Sequence, residues 1–310
     1  MVDVDKILKY LKNPFLIYSF VASKGFTRLV PDETHLKLMY RAHIGRKPDL
    51  INPRTFNEKI QWLKLHNRNP DYVNLVDKYE VKKWVSEKIG SEYLASTYAC
   101  WDSIADIDIA GLPKQFVLKT NHDCGGVVIC RDRETFDIAS AKLKLKKHLR
   151  TNYFWGGREW PYKGVKPLVF AEQFLGSETS ETGSSEFVDY KFMCFSGRVR
   201  CIFTCTGRES GDLRVDFFDN NWNHLPFQRH YSNADIIPSA PENLSFMLEA
   251  AEILAAGIPF VRVDFYEIES KPYFGEMTFY PGSGFEEFTP DYWDLKLGDW
   301  IELPNDTLQN

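Results

Sequence analysis

The 310-residue chain has no apolar run approaching the ~20 residues of a membrane-spanning helix. The run Phe15 to Ala22 is far too short, and it reads as a core segment. Peripheral contact with a membrane surface, or with a partner, is its other reading. The opening residues MVDVDKILKYLKNP lack the pattern of a cleavable signal, so a cytoplasmic protein without a transmembrane segment is expected. The six cysteines, Cys100, Cys124, Cys130, Cys194, Cys201 and Cys205, form no CxxC pair. Cys201 and Cys205 would share one face of a strand, but a zinc site needs further ligands, and none are evident. Reduced thiols in a core fit better. Positive charge is also short. Lys and Arg number 38 against 43 Asp and Glu, a net charge of -5, which excludes nucleic acid as the main partner. Three motifs are missing as well. Without GxxxxGK[ST] there is no Walker A loop, and without GxGxxG after the first strand there is no Rossmann site. Without a GxSxG elbow or a Cys-His pairing there is no obvious side-chain nucleophile.

What is present is a core-forming chain, 44% hydrophobic and 15% aromatic, with length for about two domains. Residues 1–75 read as a helical N-terminal region. Thr55 with Glu58 three residues later forms a capping box for a helix from Lys59 to Lys64. Val76 to Ile89 looks like one helix, since Val81, Trp84, Val85 and Ile89 keep helical spacing and Gly90 stops it. From residue 116 the pattern turns to strands: Phe116 to Leu118 and Val127 to Cys130 as a hairpin, then Leu168 to Phe170, Tyr190 to Phe195, Val199 to Thr206, Leu213 to Phe218 and Phe260 to Phe265. Leu244, Met247, Leu248, Ala251 and Leu254 mark an intervening helix. Strands and helices in runs, without βαβ alternation, predict an α+β fold. The expected division is a first lobe at 76–167, a second at 168–300 and a tail at 301–310.

Three stretches carry chemistry. Asp264 and Glu276 each interrupt an apolar, strand-like run, and a short polar connection would pair those strands. An acid in such a run is costly without a cation or donor. Two carboxylates across one face suit Mg²⁺, which takes one or two carboxylates plus substrate phosphates. A solvated edge strand with outward acids fits the pattern equally well. Lys119 ends the run Phe116-Val117-Leu118 and is followed by Cys124-Gly125-Gly126, a loop whose backbone N–H groups can approach phosphate. Plain hairpins carry such glycines too. Glu172 ends a third strand just before Phe174, as a hinge against an adenine would, or as an ordinary strand terminus would.

In order along the chain, Asp77-Lys78, Lys119 with its glycine loop, Glu172 to Leu175, Arg262-x-Asp264, Glu276-x-Thr278 and Pro281-Gly282 resemble the ATP-grasp superfamily, including D-alanine–D-alanine ligases. The stretch Met39 to Leu50, with Asn52-Pro53-Arg54-Thr55-Phe56-Asn57-Glu58-Lys59, looks like the TupA-like ATP-grasp family. The resemblance implies two β-rich lobes clasping a nucleotide. It implies that Lys78 and Lys119 contact ATP phosphates, with Gly125 and Gly126 in the loop folding over them. Glu172 and Phe174 would hold adenine, and Glu178 the ribose. Asp264 and Glu276 would bind Mg²⁺, with Thr278 where the superfamily usually has asparagine. Arg262 and Lys191 would stabilise developing charge. The implied reaction is ADP-forming carbon–nitrogen ligation through an acylphosphate. The family's association with bacterial surface polysaccharides implies a carboxylate-bearing sugar or polysaccharide precursor and an amine donor, such as an amino acid or amino alcohol. A sugar phosphotransferase needs the same ATP site. A glycosyltransferase is the other rival, on Asp106-Ile107-Asp108, although Asp3-Val4-Asp5 shows how common that pattern is. Trp155, Gly156, Gly157 and Trp160 mark Thr151 to Lys166 as a candidate lid or a plain surface turn.

Overall fold

In the computed structural model, which describes residues 12–176, 188–207 and 211–304, helices dominate up to residue 89 and antiparallel strands follow. The helices are α1 (Phe15–Ser23), α2 (Asp32–Ile44), α3 (Phe56–His66), α4 (Tyr72–Val76) and α5 (Val81–Ile89). The capping box at α3 forms: Thr55 Oγ1 accepts from the Glu58 amide at 3.3 Å, and Glu58 Oε2 accepts from the Thr55 amide at 3.2 Å. Two otherwise orphaned donors at the helix start are thereby satisfied.

The single helix expected over 76–89 is broken. Asp77 leaves helical geometry (ψ 113), and its Oδ1 accepts from the amides of Tyr79 and Glu80. The other carboxylate oxygen accepts from Asn121 Nδ2 at 2.6 Å. Burial pushes the Asp77 carboxyl up, against these donors. The break matters because it turns Lys78 out of a helix and against the loop that follows Lys119.

Strands β1 (Thr97–Trp101), β2 (Phe116–Thr120), β3 (Val127–Cys130) and β4 (Val169–Gln173) form a four-stranded antiparallel sheet in the order β1-β4-β2-β3. Helix α6 (Ile138–Leu149) covers it, and Leu145 joins Phe116, Leu118, Cys130 and Val169 in a small core. A five-stranded antiparallel sheet contains β5 (Asp189–Phe195), β6 (Arg198–Thr206), β7 (Arg214–Phe218), β9 (Phe260–Ile268) and β10 (Lys271–Thr278), in the order β10-β9-β5-β6-β7. Its central strand β5 is buried throughout. Helix α9 (Leu244–Ala255) lies against it and places Met247, Ala251 and Leu254 in the main core. Between α6 and α9 come two short helices, α7 (Phe154–Gly157) and α8 (Pro161–Gly164); α10 (Tyr292–Asp299) follows, and β8 (Gln228–Arg229) pairs with β11 (Phe288–Thr289).

The architecture is α+β with two β-rich layers, as expected. The sequence reading assigns 168–300 to the second lobe, yet β4 pairs with β1 and β2. We propose the lobe boundary after Gln173, with 1–75 kept as the N-terminal region and 301–310 as the tail.

The segment expected as a candidate lid or a plain surface turn is packed through its middle. Arg158 within it is 1% exposed and donates to the carbonyls of Thr27 (2.8 Å), Val30 (3.2 Å) and Trp155 (3.0 Å). Asp32 pairs with the same guanidinium at 3.0 Å. Residues 154–164 are therefore anchored to the N-terminal helices.

Candidate active site

Strands β9 and β10 bring the acid pair together through a bulge. Phe274 faces Phe265 and Met277 faces Val263, so Gly275 and Glu276 together oppose Asp264. The extra residue keeps Glu276, Asp264, Arg262 and Thr278 on one face while Phe265, Phe274 and Met277 stay in the core. Gly275 has no room for a side chain: a Cβ there would lie 2.9 Å from the Tyr266 ring and 3.2 Å from the Asp264 carbonyl oxygen.

Arg262 spans both acids. Its Nε donates to Asp264 Oδ1 at 2.6 Å, and one terminal nitrogen donates to Asp264 Oδ2 at 2.7 Å and to Glu276 Oε1 at 3.0 Å. Lys191 on β5 stands directly across from Asp264 and donates to its Oδ2 at 2.6 Å. Asp189 pairs with the same ammonium at 3.2 Å. Burial favours deprotonated Lys191, but Asp264, Asp189 and Glu276 outweigh it and hold the ammonium above the usual lysine range. Thr278 Oγ1 donates to Glu276 Oε1 at 3.0 Å. Burial also acts to raise the Glu276 carboxyl, yet Lys78, Arg262 and Lys191 together pull it down to about 2.

Lys78 completes this cluster. Its Nζ lies 3.7 Å from Glu276 Oε2 and donates to the Asp123 carbonyl at 2.7 Å. The loop carrying Asp123 is held by Asn121, whose carbonyl accepts from the Lys78 amide at 3.0 Å and whose side chain bonds Asp77, the Lys166 carbonyl and the Leu168 amide. Gly125 in this loop has φ 89, and Gly126 packs so tightly on Thr120 that a Cβ would collide with its hydroxyl. The Asp123 carboxylate is bonded to Thr120 and His148.

A second cluster sits on the four-stranded sheet. Glu172, 5% exposed, pairs with Lys119 through Oε1 and with Lys82 through Oε2 at 2.7 Å. Burial would raise its carboxyl, and Lys119 with Lys82 more than reverses that. Lys82, on α5, was not singled out in the sequence, although it follows Lys78 by four residues. Phe174 stacks with Arg131, 5.3 Å from ring centroid to guanidinium carbon. Glu178 lies outside the described residues.

A cleft of about 740 Å³ opens over the first cluster. Lys78, Arg262, Glu276 and Thr278 line it together with Tyr153, Glu159, Tyr162 and Ser283 and with Ser19, Ser23 and Arg28 of the N-terminal region. The structure thus joins Lys78, Lys191, Arg262, Asp264, Glu276 and Thr278 in one network. It places Lys119 and Glu172 in a second, with Phe174 just beyond β4. None of these three lines the cleft. Tyr280, buried in the main core, also lines the cleft, whereas Trp293 lies in that core and Trp222 packs against it.

The acid pair suits a hard cation. Asp264 Oδ2 and Glu276 Oε1 accept from the same Arg262 nitrogen, so two carboxylate oxygens converge on one cationic point, beside a hydroxyl. Oxygen ligands of this kind are those Mg²⁺ prefers.

Comparison with known proteins gives one family match, TupA-like ATPgrasp, over residues 58–302. No curated protein matches. Among solved structures, the chain is similar to D-alanine–D-alanine ligase from Helicobacter pylori, with 16% identity, 80% of this chain and 69% of that one covered, and a TM-score of 0.42. For the Bacillus anthracis D-alanine–D-alanine ligase complexed with ATP the values are 14%, 66%, 53% and 0.36. For N5-carboxyaminoimidazole synthetase from Staphylococcus aureus they are 13%, 66%, 44% and 0.36. The chain spans about half of the length of the last two. The assignment rests on the family match, which covers most of the chain: it belongs to the TupA-like ATP-grasp family.

Proposed function

We propose that the protein uses Mg-ATP to convert a carboxylate to an acylphosphate and passes the acyl group to an amine. The carboxylate is assigned to a sugar acid or polysaccharide precursor, and the amine to an amino acid or amino alcohol, in bacterial surface polysaccharide biosynthesis. The observation that supports this most is the Arg262 bridge between Asp264 and Glu276, facing a cleft with room for more than a nucleotide end.

In this reading Lys78 and Lys119 bind phosphate oxygens, and the 121–126 loop offers backbone N–H groups beside them. Glu172 and Phe174 flank the adenine, with Lys82 holding Glu172 ionised. Glu276 and Asp264, with Thr278, would hold Mg²⁺, which when bound neutralises phosphate charge. Arg262 faces the cleft and stabilises negative charge on the transferred phosphoryl group and on the tetrahedral oxyanion. Lys191, buried on β5, holds Asp264 in place through its bond to Oδ2. The aromatic wall of Tyr153, Trp155 and Tyr162 limits water around an acylphosphate that hydrolysis would destroy.

The test is Mg-ATP with hydroxylamine and a panel of uronic acids, glucuronate and galacturonate among them. ADP and a hydroxamate should appear together, and Glu276→Gln or Lys119→Ala should abolish both. ADP with a phosphosugar and no hydroxamate would instead establish a phosphotransferase.

A further inference from the structure

Three acids line the cleft, Asp123, Glu159 and Glu276. The Asp123 carboxylate is spent on Thr120 and His148, and Glu276 belongs to the Arg262 network. Glu159 is used by neither. It is 4% exposed, and its Oε1 accepts from Ser283 Oγ at 2.7 Å. Behind that hydroxyl, Lys64 donates to Ser283 Oγ at 3.2 Å, to the Ser283 carbonyl at 2.7 Å and to Gln61 Oε1 at 3.0 Å. Lys64 is itself 1% exposed and does not line the cleft.

The backbone is shaped for this arrangement. Ser283 is left-handed (φ 56) between Gly282 (φ 57) and Gly284 (φ 63), a costly conformation for a residue with a side chain. Gly157 approaches Ser283 so closely that a Cβ would collide with its hydroxyl. A row Lys64–Ser283–Glu159 is thus built from α3, the turn after β10 and the segment after α7; Glu159 and Ser283 line the cleft, and Lys64 does not.

Glu159 lines the same cleft as Arg262 and Glu276. Burial raises the hydroxyl groups of Tyr153 and Tyr162; the negative charges of Glu159 and Glu276 both raise them further. The two tyrosines therefore stand within electrostatic reach of both acids. Arg158, next in sequence, is turned away to Thr27 and Val30. Lys64 and the buried hydroxyl of Tyr280 also feel the Glu159 charge.

We propose that Glu159 is the binding group and proton acceptor for the amine substrate, which enters as a primary ammonium. The inference rests on the ligase reading. The ammonium pairs with the Glu159 carboxylate and gives it one proton. The freed lone pair on nitrogen attacks the acylphosphate carbonyl carbon, and the C–N bond forms. The C–O bond to phosphorus's oxygen breaks, phosphate leaves with that electron pair, and it takes the second nitrogen proton. Burial raises the Glu159 carboxyl, which prepares it to accept a proton, and the Lys64 charge opposes this only in part.

The experiment compares wild type and Glu159→Gln with Mg-ATP and a carboxylate that yields hydroxamate. Hydroxylamine is largely unprotonated at neutral pH and needs no base, whereas methylamine and ethanolamine are ammonium ions. The variant should form hydroxamate within about 3-fold of wild type while losing about 100-fold with the two ammonium nucleophiles, and Glu159→Asp should recover part of that loss. Retained hydroxamate formation also shows that the variant is folded. Equal losses with all nucleophiles, or no loss with any, would overturn the proposal, as would a wild-type rate with ammonium nucleophiles no higher than the variant's. A wild type that forms no hydroxamate would bring down the ligase reading itself.

Discussion

Lys78 and Lys82 stand four residues apart and divide two acids from different sheets between them: Lys78 lies 3.7 Å from Glu276 on β10, and Lys82 bonds Glu172 on β4 at 2.7 Å. The turn before α5 and its first residues are thereby a tie between the two layers. Lys82→Met removes one of the two cations on a carboxylate that is 5% exposed. Losing one charged hydrogen bond to a buried carboxylate costs about 2 kcal/mol, even though Lys119 still pairs with it. Urea unfolding should show a loss of that order, and Mg-ATP should stabilise the variant less than it does wild type. Adding Glu172→Gln should return part of the stability, since the buried, half-partnered carboxylate is then gone and the partly exposed Lys119 can reach water. A double variant no better than the single one would mean that Lys82 acts through its packing on Phe170 instead.

How much of this was legible in the chain depends on how local the cause is. Asp264 and Glu276, each inside an apolar run and separated by a short polar connection, announce a hairpin with both acids on one face, and the structure has it. The bulge at Gly275 was not legible, because a glycine between Phe274 and Glu276 reads as ordinary strand until the approach of Tyr266 is known. The helix read over 76–89 failed at Asp77, whose carboxylate is claimed by Asn121, 44 residues away. Periodicity cannot see such a partner. The same holds for the 151–166 segment: Gly156, Gly157 and Pro161 suggest a free loop, and only the distant carbonyls of Thr27 and Val30 explain why Arg158 is buried.

Acid should unmask Glu276. Its carboxyl is brought down to about 2 by Lys78, Arg262 and Lys191, against the raising effect of burial. In the unfolded chain it titrates near about 4.3. A depressed folded value means that its contribution to stability is complete above the unfolded value and is lost as pH falls toward the folded one. Urea midpoints of wild type should therefore fall more steeply than those of Glu276→Gln between about pH 4.5 and pH 2. Parallel slopes would show that the three cations do not act on this carboxylate.

Gly275→Ala probes the bulge without touching a charge. The new methyl would press on the Tyr266 ring at 2.9 Å, which can tilt, and on the Asp264 carbonyl at 3.2 Å, which is held in the sheet. Overpacking of this kind costs about 2 kcal/mol. The Asp264–Glu276 spacing should widen with it, so ADP release should fall well beyond what the lost stability explains. Thermal unfolding with and without Mg-ATP checks both: a variant destabilised by that amount yet fully active would separate the bulge from the acid pair.

Arg158→Met tests whether the N-terminal region shapes the acceptor side alone. The guanidinium satisfies the carbonyls of Thr27, Val30 and Trp155 and pairs with Asp32. Methionine keeps bulk and strands three acceptors, each worth about 1–3 kcal/mol when buried and unpaired. The 154–164 segment should loosen from α1 and become a site of limited proteolysis. Lys78, Glu276 and Arg262 have no bond to Arg158 among the described residues, so stabilisation by Mg-ATP should survive. Turnover should not, because Glu159 follows Arg158 in the chain and moves with it. Loss of the Mg-ATP effect together with turnover would show that the cleft folds as one unit, with no separable acceptor wall.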